Sequence, residues 1–163
     1  MIILYRVFLF ILLIGTSSFP QSIPEKFYSI GWNSTIHSLQ TLFSDKTFLV
    51  KELPDLKEIY FNDNIDSVSF KVGFYFDDDG NLTAKAINNN LVKNIKAGKD
   101  FFNLFKRLTI KSYGENFDKK TVTGIEILHW DYDKQTIVML TQKDDKAALT
   151  VSKKKDPNKI KNE

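Results

Sequence analysis

Cysteine is absent from these 163 residues, and that absence closes several routes at once. No disulfide can staple the chain, no thiolate can bind a metal or attack a substrate, and no acyl chain can join a lipoprotein signal, which needs a cysteine. Histidine is scarce as well, with His37 and His129 the only imidazoles. Charge of one sign is lacking too: 23 Lys and Arg face 20 Asp and Glu, so no strong field points to nucleic acid or anionic lipid. There is no Gly-x-Ser-x-Gly elbow, no His-Glu-x-x-His pair and no phosphate-binding glycine loop. A long apolar run occurs only once. Arg6 precedes Val7 to Ile14, eight apolar residues, and the small residues Gly15, Thr16, Ser17 and Ser18 follow.

That order is a secretory signal peptide over residues 1–18, with cleavage expected between 18 and 22. A spanning helix needs about 20 apolar residues, more than are present. The expected product is free of any lipid anchor or stable membrane insertion, and is periplasmic or secreted. At the far end, residues 153–163 carry five lysines against Asp156 and Glu163. Without interleaved aromatics they read as a disordered, solvated basic tail.

Residues 19–30 contain Pro20 and Pro24 and are expected to be an extended lead-in, because each proline pushes its predecessor out of the helical region. A single domain is expected over 31–152. Its first helix starts at Asn33 or Ser34, with Ile36, Leu39, Leu42 and Phe43 on one stripe. Short strands follow at 47–50 and 57–61. The clearest element is 68–76, where Val68, Phe70, Val72, Phe74 and Phe76 alternate with polar or small residues, predicting a half-buried strand. Asp77-Asp78-Asp79-Gly80-Asn81 turns it back through Leu82, Ala84 and Ala86. A polar connection through Lys96-Ala97-Gly98-Lys99 leads to a second helix capped by Asp100, with Phe101, Leu104, Phe105 and Leu108 inward and Gly114 as its stop. Strands at 125–130, 136–141 and 147–152 complete the chain.

This pattern predicts an α+β two-layer sandwich, an antiparallel sheet with two amphipathic helices on one face and the other face partly in water. Helix-then-strands occurs twice, as a duplicated αβββ unit would give. Gly31-Trp32-Asn33-Ser34, Phe74 to Leu82, Leu108 to Gly114 and Trp130 leading into Ile137 to Leu140 resemble a class of small exported bacterial proteins. Their unit is similar to that of the small outer-membrane assembly lipoproteins and of the β-lactamase-inhibitor-protein fold. The resemblance implies a non-catalytic binding module of the bacterial envelope or exterior, with no cofactor. The missing cysteine departs from the lipoproteins.

The expected contact surface is the sheet face away from the helices, presenting Ser69, Lys71 and Tyr75, extended by Trp130 and Tyr132. A finer version makes the chain an inhibitor of a secreted hydrolase, inserting the acidic tip Asp77, Asp78, Asp79 into a basic cleft. That tip does not fit a calcium loop: in a frame ending on Gly80, Tyr75 and Ala86 occupy the first and twelfth ligand positions. The competing class is a hydrolase using His129 with Asp131 or Asp133 as base partner. His37 falls off the apolar stripe and reads as solvent-facing. The strand 136–141 is apolar on both faces, with Val138 and Leu140 on one and Ile137 and Met139 on the other. It is either covered on both sides, by the tail or the lead-in, or part of a contact patch.

Overall fold

The computed structural model describes residues 22–65, 68–89 and 94–154. The expected signal segment 1–18, its expected cleavage region up to residue 21 and the expected tail beyond 154 lie outside the described residues. Among the described residues three helices, α1 (Ile23–Ser29), α2 (Ile36–Leu42) and α3 (Ile95–Tyr113), accompany eight strands. These are β1 (Leu49–Leu53), β2 (Leu56–Ile65), β3 (Val68–Phe76), β4 (Leu82–Asn88), β5 (Asp118–Val122), β6 (Ile125–Asp131), β7 (Thr136–Lys143) and β8 (Lys146–Lys153). All eight join one antiparallel sheet in the order β1-β2-β3-β4-β8-β7-β6-β5. Two meanders therefore meet at the central β4–β8 pair, and α3 is the crossover between them.

The helices share one face of the sheet, as expected of an α+β two-layer sandwich. Alternation along β3 sends Phe70, Val72, Phe74 and Phe76 inward, none more than 1% exposed. Under α1 and α2 they meet a cluster of rings, with Phe43 5.1 Å from Phe61 and 5.9 Å from Phe74. Under α3, Phe101 and Phe105 stack at 4.4 Å and Phe105 meets Phe70 edge-on at 5.6 Å. Fully burying each such ring stabilises the fold by about 2–3 kcal/mol.

Several boundaries differ from the sequence expectation. The lead-in is helical rather than extended over Ile23–Ser29, and Phe27 on it is fully buried, so the domain starts before residue 31. Pro24 sits in the first turn, where its missing N–H costs nothing, and the Glu25 carboxylate accepts from Ser22 N at 3.0 Å to close that turn. The next helix begins only at Ile36, capped by Thr35, whose hydroxyl accepts from Ser38 N at 3.2 Å. The last helix starts at Ile95, capped by the Asn94 side chain and not by Asp100, so Gly98 lies inside it. Gly98 is required there by closeness: a Cβ would lie 2.8 Å from the backbone carbonyl of Asp145 in the β7–β8 turn. Gly114 does end that helix, at a positive φ of 88°. The exposed edge strand β5 has no apolar alternation, which is why no strand was expected at 118–122.

Candidate functional site

The open face is built from every second residue of each strand. Cross-strand pairing runs Gly73 to Ala86, Ala86 to Thr150, Thr150 to Met139 and Met139 to His129. Side chains are smallest in the middle of this row and larger towards the edges. On the β1–β4 side the expected Lys71 and Tyr75 do lie on this face, but both are engaged with a third residue. Glu58, 3% exposed, receives the Lys71 ammonium at 2.6 Å and the Tyr75 hydroxyl at 3.0 Å. Lys71 also lies 4.2 Å over the Tyr60 ring. Burial, then the Glu58 charge, push the Tyr75 hydroxyl up to about 12. Gly73 makes room for the cluster, since a Cβ there would meet Glu58 Oε1 at 2.9 Å.

On the β5–β8 side the same face gathers Ile125, Ile127, Ile137 and Met139, with Met139 39% exposed. The two-faced apolar strand thus has its inner side, Val138 and Leu140, in the core. None of the described residues covers its outer side: α1, in the segment offered as one cover, packs on the opposite face through Phe27 and Phe74.

Trp130 and Tyr132 do not extend the open face. Trp130 is 1% exposed and donates through Nε1 to Gly114 O at 2.9 Å, at the end of α3. It pairs across strands with core Val138, and the period of two sends it to the helix side. Tyr132 packs edge-on against Tyr113 of α3 at 4.7 Å.

The hairpin tip is a closed turn. Asp77 O accepts from Gly80 N at 2.9 Å and its carboxylate accepts from Asn81 N at 2.7 Å. Asp78 and Asp79 project into solvent. Among the described residues no group of three or more His, Asp or Glu is placed to hold a metal ion. His37 is exposed on α2. His129 lies half-buried on the open face between Asp118 and Met139. Asp131 is ion-paired with Lys154, whose hydrogen bond and charge hold its carboxyl below the usual range, with a smaller contribution from His129. Asp133 turns the other way, its carboxylate accepting from Gln135 N at 2.7 Å and from the Thr136 hydroxyl at 3.2 Å. Neither aspartate hydrogen-bonds the imidazole.

One feature of the helix face escaped sequence reasoning. A cleft of about 280 Å³ opens where α1, the end of α3 and the β6–β7 turn converge, lined by Tyr28, Trp32, Lys85, Tyr113, Tyr132 and Asp133 among others. Lys85 is 2% exposed and donates to Phe27 O at 2.7 Å and Ile30 O at 2.8 Å, carbonyls of the last turn of α1. Burial draws its ammonium down to about 7. The signal that hides it is a register shift between Tyr75 and Phe76, which pairs Tyr75 with Ala84 but Phe76 with Leu82. The irregularity turns Ala84 and Ala86 outward and Lys85 and Ile87 inward, the reverse of unbroken alternation from Leu82 to Ala86.

Comparison with protein family models, curated proteins and solved structures finds no match.

Proposed function

We propose that this protein is an exported, non-catalytic module that binds a protein or another envelope component through the open face of its sheet. The observation that carries the reading is the apolar group Ile125, Ile127, Ile137 and Met139 on a face that no described helix covers. Antiparallel sheets that face water ordinarily turn polar residues outward, and a clustered apolar departure is the mark of an interaction surface. The contact centre moves from Lys71 and Tyr75, which hold each other through Glu58, to the β6–β7 strands. The apolar signal segment supports export.

Pull-down from the secreted or periplasmic fraction with wild type and an Ile125→Glu, Met139→Glu double variant tests this. The variant is expected to keep its melting temperature and lose the partner; equal recovery of every partner would count against the face. The inhibitor form of this reading rests on Asp78 and Asp79, held in solvent by a closed turn. Titration against lysozymes and β-lactamases tests it, with no inhibition at micromolar protein retiring those targets.

A further inference from the structure

The cleft on the helix face has an unused chemistry. Its aromatic wall is a chain of edge-on rings, Tyr28 to Tyr113 at 5.6 Å and Tyr113 to Tyr132 at 4.7 Å. Trp32 is pinned by donating from Nε1 to the Thr136 hydroxyl at 3.1 Å. The ring orientations are therefore set before any ligand arrives, which lowers the ordering cost of binding.

The two ionic groups of the lining are already engaged by the protein itself. Lys85 spends its donors on the carbonyls of Phe27 and Ile30, and the Asp133 carboxylate accepts from Gln135 N and Thr136. An anion entering the cleft would meet Asp133 and a cation would meet Lys85, so a lining with one group of each sign favours neither. The hydroxyls of Tyr113, Tyr132 and Ser112, in contrast, make no hydrogen bond to another described residue, and these three residues are part of the lining. The lining thus offers aromatic rings and hydroxyls, with one ionic group of each sign and no net charge.

We propose that this cleft binds a single uncharged sugar ring, stacked on its aromatic walls. The C–H edges of a sugar carry partial positive charge and suit the negative faces of Tyr and Trp rings, while its hydroxyls exchange water for the free tyrosine hydroxyls. The volume, about 280 Å³, lies just below the range of drug-sized sites, which starts at about 300 Å³, and suits one ring and not a chain. The site lies across the sheet from the proposed partner face and is independent of that reading.

NMR of the full chain, following the Trp32 indole N–H while glucose, galactose, mannose or N-acetylglucosamine is added, tests the proposal. Tetramethylammonium and acetate serve as charged controls, and the core Trp130 signal as an internal reference. At least one sugar is expected to shift Trp32 saturably with a Kd of about 1 mM. Tyr132→Ala, at an exposed position, is expected to weaken that sugar at least about tenfold with an unchanged melting temperature. The proposal is overturned if no sugar gives a saturable shift, if only a charged control does, or if Tyr132→Ala binds as wild type.

Discussion

Lys85 Nζ on β4 donates to the carbonyl oxygen of Phe27 at 2.7 Å, joining residues 58 positions apart in the chain. The same nitrogen reaches Ile30 O at 2.8 Å, so a sheet lysine closes the C-terminal end of α1. Terminal carbonyls of a helix lack partners within it, and the Lys85 amine supplies donors to them. Lys85→Met keeps the stem's packing and removes the donors. Above about pH 10, where the buried charge carries no cost, it is expected to cost about 2–3 kcal/mol by leaving buried carbonyls unpaired, read as a lower midpoint in urea unfolding, and stability equal to wild type there would refute the assignment.

The pH dependence of stability has a direction set by the same group. Burial lowers the Lys85 pKa from the ordinary 10.5 to about 7 in the fold, so between those values the unfolded chain holds more protons. Stability then rises with pH, and the cost of the buried charge is fully present below about 7. Above about 10 the sign reverses, because burial raises the hydroxyls of Tyr28, Tyr75 and Tyr113 and the unfolded chain ionises first. Unfolding midpoints across this range are expected to climb and then fall. Lys85→Met should flatten the climb and keep the fall; a wild-type midpoint that declines steadily from neutral pH contradicts the argument.

Gly98→Ala raises helix propensity by about 1 kcal/mol yet places a Cβ 2.8 Å from Asp145 carbonyl atoms. Backbone cannot rotate away as a side chain can, so overpacking of about 1–3 kcal/mol is expected to win. Calorimetry should show a lower melting temperature. A higher one would mean that α3 does not seat on the β7–β8 turn.

Glu58 depends on Lys71 in the same physical sense. Its side chain is 4% exposed against 22% for Lys71, so Lys71→Met strands a carboxylate and is expected to destabilise by about 2–3 kcal/mol. Adding Glu58→Met should recover much of that loss. A double-mutant cycle with no coupling would show that the pair is not formed in solution.

Export predicts a shortened product. Mass spectrometry of the exported protein is expected to show loss of a segment ending between residues 18 and 22. A full-length chain released only by detergent would instead make the segment an anchor and move the partner search to the membrane surface.

The β3–β4 hairpin, the stop at Gly114 and the inward stripe Phe101, Leu104, Phe105 and Leu108 were legible in the sequence, because period and turn chemistry act over a few neighbouring residues. Tertiary structure decided what those rules leave open. Ile23–Ser29 is helical because Phe27 has Phe74 to pack against, and a seven-residue helix is too short to hold by propensity alone. Gly98 sits within α3 because a distant turn occupies the space of a Cβ. Trp130 faces the core and Lys85 faces the helices because each strand's register against its neighbour, including the shift beside Tyr75, fixes which alternate set is inward. Alternation in the chain specifies two faces. Only pairing between strands says which one meets the helices and which is left open.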